Sequence, residues 1–148
     1  MSRPPPSIRP RHERRAQEID AIEDRLYEFN RRAVGRDDGM GLGFTALDDA
    51  GGEIGALAGY SWAGVAEIKQ LWVAEDRRGG GLGRALVEAA VAEAEMRGCA
   101  VIWVMSYDFQ APDFYELCGF DRVAELADWP PGHRQVILRR RLSSPGEA

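Results

Sequence analysis

The residues with the clearest chemical potential lie in one turn, Arg77-Arg78-Gly79-Gly80-Gly81-Leu82-Gly83, between an apolar segment, Ile68 to Val73, and an alanine-rich one, Arg84 to Arg97. Glycine reaches positive φ freely, so successive N–H groups there can converge on an anion, and the dipole of a following helix adds partial positive charge. Arg77, Arg78 and Arg84 supply full charges beside it. The bland alternative is a turn that only joins a strand to a helix. Neither of the two best-known phosphate loops fits: a P-loop ends in Gly-Lys-Ser/Thr, whereas Arg84 follows Gly83, and a dinucleotide fingerprint needs glycine or alanine where Leu86 stands. Cys99 and Cys118 lack a metal-ligand cluster and sit beside glycine at the edges of apolar segments, so they read as buried free thiols and no metal site is expected.

At 148 residues and 45% hydrophobic content the chain fits one domain with a true core. It has no run of about 18 apolar residues and no signal-like start, so the expectation is a soluble bacterial protein of the cytoplasm with no membrane partner. Net charge is −5, unevenly placed: residues 1–15 carry five arginines and one glutamate, a local +4 that leaves −9 for the remainder. An acidic body argues against nucleic acid as the main partner and suits a cationic substrate. Eighteen arginines stand against a single lysine, a bias read here as genomic composition.

The elements that must position the turn follow from periodicity and breakers. Residues 1–16, rich in proline and arginine, read as a flexible tail, and 143–148 as a second tail. From Gln17 to Ala33, Ile19, Ile22, Leu26 and Phe29 recur at helical spacing, predicting an amphipathic helix packed on a core. Gly43 to Leu47 and Ile54 to Trp62 flank an Asp-Asp-Ala-Gly-Gly turn and predict a hairpin, continued by a long strand from Val65 to Val73. A helix from Arg84 to Arg97, stopped by Gly98, precedes Ala100 to Met105, whose continuous apolar character predicts a strand covered on both faces. Pro112 opens a short helix through Cys118, and Phe120 to Ala124 and Gln135 to Leu142 close the sheet. The fold class is therefore α+β, a mostly antiparallel sheet containing one strand-helix-strand unit.

This order resembles the GNAT superfamily of acyl-CoA-dependent N-acetyltransferases over roughly Ile19 to Leu142, which puts the domain at residues 17–142. Arg78 to Gly83 is similar to the family's pyrophosphate pattern, Arg/Gln-x-x-Gly-x-Gly/Ala, and Ala111 to Phe120 to its Ala-x-x-x-Tyr-x-x-x-Gly-Phe ending. The resemblance implies a central twisted sheet whose parallel strands splay to admit the pantetheine arm of acetyl-CoA near Leu71, Trp72 and Val73. The pyrophosphate then lies on the amides of Gly79, Gly80, Gly81, Leu82 and Gly83, with Arg78 and Arg84 beside it. It further implies direct acetyl transfer to a primary amine in a ternary complex, with no metal.

Such a transfer needs a base for the ammonium and a proton for the thiolate. The resemblance offers Glu67, eleven positions before Arg78, as the base, and Tyr115 as the proton donor. Asp108 stands where many relatives have a coenzyme-binding asparagine and is counted among the expected coenzyme contacts; alternatively, it or Gln110 addresses the acceptor or caps the helix. The acceptor pocket, of a small-molecule or peptide amine, is assigned to Asn30, Tyr60, Trp62, Trp129 and His133. A catalytically silent acyl-CoA-binding module of the same fold is the alternative, and a homodimer through the final strands is open.

Overall fold

The computed structural model describes residues 3–143. The expected C-terminal tail, 143–148, lies outside the described residues except for its first position, and the chain separates into two compact units, Met1–Arg36 and Asp37–Ala148.

The first unit holds one helix, α1 (Ala16–Val34). Its start is fixed by Glu18, whose carboxylate accepts the Arg15 N–H at 3.0 Å, and its end by Gly35 at φ 73°. Glu28 accepts from Arg31 at 2.7 Å and from Arg32 at 3.0 Å. The hydrogen bond from Arg31 chiefly holds that carboxyl down to about 2. The helix forms as its periodicity predicts, but none of its residues is buried, and Ile19, Leu26 and Phe29 are exposed.

The second unit is a six-stranded sheet in the order β1-β2-β3-β4-β6-β5. Its strands are β1 (Met40–Leu47), β2 (Glu53–Trp62), β3 (Val65–Val73), β4 (Val101–Tyr107), β5 (Asp121–Ala127) and β6 (Arg134–Arg141). Two further helices are α2 (Leu82–Met96), between β3 and β4, and α3 (Pro112–Leu117), between β4 and β5. All neighbours are antiparallel except β3 and β4, which α2 connects as a parallel crossover. The β1–β2 hairpin is closed by Asp48, whose carboxylate accepts the N–H groups of Ala50 at 3.0 Å and Gly52 at 2.7 Å.

The core lies between α2 and one sheet face. Leu86, Val87, Ala90, Val91 and Ala94 of α2 join Leu42, Leu57, Ala66, Ile68, Ile102, Val104, Val136 and Leu138 in one buried cluster. Two alanines on that stripe let the helix approach the sheet closely, and burying its larger side chains contributes roughly 1.5–3 kcal/mol each. Gly98, at φ 76°, ends α2, with the Cys99 N–H returning to the Ala94 carbonyl at 2.9 Å. Both cysteines are buried and free.

Two expectations change. Helix α2 begins at Leu82, so Gly83 lies inside it, where a β-carbon would sit 3.3 Å from the Phe114 ring. β4 is covered on one face only: Ile102, Val104 and Ser106 are buried, while Val101, Trp103 and Met105 on the other face are not. Apolar runs do not report which face a helix covers, and here Trp103 is instead overlaid by the Arg139 guanidinium, 5.4 Å from its ring centre.

Candidate active site

The cleft originates in an interrupted strand pair. β3 and β4 pair over only four positions, from Val65↔Val101 to Ile68↔Val104. Beyond them β3 continues along β2 to Val73, and β4 continues along β6 to Tyr107. The divergence coincides with a bulge: Gly59 pairs with Ile68 and Ala58 with Gln70, leaving Lys69 as the extra residue. Gly59 is what permits the bulge, because a β-carbon there would collide with the Glu67 carbonyl oxygen and lie 3.1 Å from its carbon and 3.3 Å from the Ile68 Cα.

Between the diverging strands lies a cleft of about 800 Å³, within the size range of small-ligand sites. One wall is β3 from Lys69 to Val73; the floor is the glycine-rich turn with the first turn of α2; the far wall is the end of β4 with Phe109, Gln110, Phe114 and Tyr115.

The turn has the backbone that its composition anticipated. Gly79 at φ 81° and Gly81 at φ 87° occupy the left-handed region, which L side chains avoid. The Arg78 N–H returns to the Glu75 carbonyl at 3.4 Å, and the next backbone donor with a partner is Ala85, bonded to the Gly81 carbonyl at 3.0 Å. Among the described residues the six amides from Gly79 to Arg84 therefore have no backbone acceptor, at the positive end of a 15-residue helix. Unpaired amides at a helix N-terminus are the kind of donor set to which anions bind. The Arg78 Nε donates to the Val73 carbonyl at 3.1 Å, which folds the guanidinium across the end of β3 at the cleft rim.

Tyr115 enters from α3. Its ring is 6% exposed, wedged edge-on between Phe114 at 5.2 Å and Phe120 at 5.7 Å. Burial, with Cys118 adding to it, pushes the phenol up to about 12, so it stays protonated at neutral pH. Burial pushes the Cys118 thiol up as well. Three residues that sequence reasoning did not single out hold α3 and its wall. The Ser106 Oγ accepts the Ala111 N–H at 3.2 Å, just ahead of Pro112. Arg122 clasps Asp113 at 2.7 Å and Glu116 at 2.8 Å, an acidic pair spaced i, i+3 that was a readable signal for a basic partner. Phe109 lines the cleft and stacks on Tyr107 with ring centres 5.0 Å apart.

Of the sequence-predicted residues, the structure brings together Leu71, Trp72, Val73, Arg78, Gly79, Gly81, Leu82, Gly83, Arg84 and Tyr115 around this cleft, with Gly80 in the same turn. Glu67 is exposed on β3, two residues before the bulge, and sits in register between Tyr60 and Trp103. Asp108 lies off the cleft lining: its carboxylate meets the His133 Nδ1 at 3.0 Å and accepts the Arg134 N–H at 3.1 Å. His133 in turn meets the edge of Phe109, with centres 4.9 Å apart. Trp62 borders a separate cavity of about 220 Å³ that also includes Arg97, and Trp129 is 44% exposed. Asn30 is exposed on α1, in the first unit. Among the described residues no group of three or more His, Cys, Asp or Glu is arranged to hold a metal, and no helix is long and apolar enough to cross a membrane.

Comparison with known proteins agrees with this geometry. The profile of the Acetyltransferase (GNAT) family matches residues 6–120. The chain is 39% identical over 99 residues to the blasticidin-S acetyltransferase of Streptomyces morookaense, covering 62% of this chain and 71% of that protein. A crystal structure from Agrobacterium tumefaciens, described as an acetyltransferase, superposes with a TM-score of 0.78 at 27% identity, over 96% of this chain and all of the other. An acetyltransferase of Bacillus anthracis, solved in complex with acetyl-coenzyme A, shares the fold with a TM-score of 0.62 at 20% identity, over 68% of this chain and 62% of that one. The six-stranded α+β architecture, the glycine-rich turn and the matched profile together establish that the chain belongs to the GNAT acetyltransferase family.

Proposed function

We propose that this acetyltransferase moves an acetyl group from acetyl-CoA to a primary amine by direct attack within a ternary complex. The observation that carries the reading is the run of six unpaired amides at the start of α2, opening into the cleft that Tyr115 borders. Those amides and Arg78 would hold the pyrophosphate through charge-assisted bonds. The pantetheine arm would run along β3 between Leu71 and Val73, whose β4-facing backbone groups have no strand partner. The thioester then meets Tyr115 at the narrow end of the splay.

The residues divide the work by charge. An alkyl ammonium must lose a proton before it can attack, and Glu67 is the carboxylate on β3 nearest the point where the strands part. Tyr115 keeps its proton at neutral pH and offers it as a hydrogen bond to the departing sulfur. Full transfer from the buried phenol, near 12, to a thiolate of ordinary basicity, near 8.5, would cost about 5 kcal/mol. It becomes feasible in the cleft because the same apolar surroundings raise the basicity of the sulfur.

The acceptor is a small cationic amine, in keeping with the acidic body, and blasticidin S heads a panel of amines to be tested. Released thiol is measured with each amine, and melting temperature with and without acetyl-CoA. The expectation is a rise in melting temperature, turnover with at least one amine, and a Tyr115→Phe variant whose kcat falls by about 10²–10⁴ while its acetyl-CoA affinity holds. No melting shift at saturating acetyl-CoA removes the coenzyme assignment. A shift with no turnover across the panel replaces the enzyme with a binding module.

A further inference from the structure

The single lysine of the chain stands on the wall of the acetyl-donor cleft. Eighteen basic side chains are arginines, whose guanidinium never deprotonates and so is not acetylated under these conditions; Lys69 is the only basic side chain able to become a neutral amine nucleophile. It is the extra residue of the β3 bulge, immediately after Ile68↔Val104, the last position where β3 and β4 pair. Its side chain is exposed and borders the same cleft as Tyr115. Glu67, the carboxylate assigned to amine deprotonation, lies two residues earlier on the same strand.

From this placement we propose that Lys69 is a self-acetylation site: with acetyl-CoA bound and no acceptor amine present, the protein acetylates its own Lys69. The proposal rests on the coenzyme reading above. In the step, the ammonium of Lys69 first gives a proton to Glu67 or to water. The neutral Nζ attacks the thioester carbonyl, the C–N bond forms and the C–S bond breaks. The sulfur leaves as thiolate and is protonated from Tyr115 or solvent, and the nitrogen sheds its second proton to give a neutral amide and free coenzyme A. No further reactant is needed. The product carries no charge at Lys69, so the modification removes a cation from the point where an incoming cationic amine approaches and leaves Glu67 as the charged group beside it. Acetylation at that position therefore favours the ammonium form of the acceptor, whereas an unmodified lysine repels it.

The chain offers only two amines, the Nζ of Lys69 and the terminal α-amine, so the assay is clean. Purified full-length protein is incubated with acetyl-CoA and no acceptor, then followed by intact mass and peptide mapping. The expected result is one acetyl group on Lys69, absent in Lys69→Arg, and formed at least about tenfold more slowly in Tyr115→Phe and in urea-unfolded chain. A second measurement, the melting shift with acetyl-CoA, reads donor binding independently of the modification. Donor binding with Lys69 unmodified, or modified at the same rate in the unfolded chain, overturns the self-acetylation and leaves the coenzyme assignment standing. Absence of donor binding removes both.

Discussion

Replacing Gly59 by alanine tests whether the bulge on β3 creates the cleft. The new β-carbon would meet only backbone: the Glu67 carbonyl group and the Ile68 Cα at 3.3 Å. None of these can rotate away as a side chain would, so β2 and β3 must separate or the bulge must migrate. Overpacking of this kind costs about 1–3 kcal/mol. Losing two ladder hydrogen bonds adds about 1 kcal/mol each. Lower chain entropy in the unfolded state returns roughly 0.4–1 kcal/mol. The net destabilisation of about 2–4 kcal/mol should lower the melting temperature by roughly 5–15 °C. Since the bulge sets where β3 leaves β4, acetyl-CoA affinity should fall about tenfold or more, a loss on the scale of 1.4 kcal/mol. Gly43→Ala is the control: it is another strand glycine, and its nearest atom, the Leu57 carbonyl oxygen, is an ordinary 3.6 Å away. Thermal melts and titration calorimetry of the two variants decide the matter. If Gly59→Ala melts within about 2 °C of Gly43→Ala and binds acetyl-CoA equally well, the close-approach argument is wrong.

Two further outcomes follow from the turn and the tyrosine. Gly81→Ala meets no atom within 4 Å, so its cost is purely that of holding alanine at φ 87°, about 1–2 kcal/mol, with weakened acetyl-CoA binding. Gly80→Ala, with its nearest contact 3.8 Å away and no positive φ, should be close to neutral in the same melts. Tyr115 binds its proton more tightly folded than unfolded, because its value is raised from 10.0 to about 12. Stability linked to it is thus complete below pH 10 and is lost as pH rises towards 12, by up to roughly 2–3 kcal/mol. Denaturant melts across that range should show this alkaline loss in the parent chain and its disappearance in Tyr115→Phe.

How much of this was legible depended on whether a local rule or a distant partner decided the outcome. The glycine turn was legible because positive φ is a property of single residues, and Gly79 and Gly81 adopt it. The strand-helix-strand order was legible because period and breakers are local. The early start of α2 was not: Gly83 looked like part of the turn, yet it is helical, and the ring that crowds its missing β-carbon belongs to Phe114, thirty-one residues away. Gly59 gave no signal at all, since a close approach between β2 and β3 exists only once their register is set. Likewise Asp108 was readable as a polar residue near the site, but its pairing with His133 across twenty-five positions was not. The apolar spacing of α1 fixed a helix without fixing what would cover it.

The short β3–β4 pairing gives the sheet four edges instead of two. Two are the outer borders, β1 and β5; the others face each other inside the molecule, past Ile68 and Val104. Exposed strand edges invite intermolecular pairing, and β5 counters this with Asp121, Arg122 and Glu125 along an exposed strand. The inner edges need no such guard, because a second protein chain would have to thread a cleft closed at one end by the paired strands. What they can accept is a slender guest carrying amides of its own, which would take up the hydrogen bonds of a missing strand. In that sense the sheet reads its guest as backbone, and amide exchange at Leu71 and Val73 is the natural gauge of whether the gap is filled.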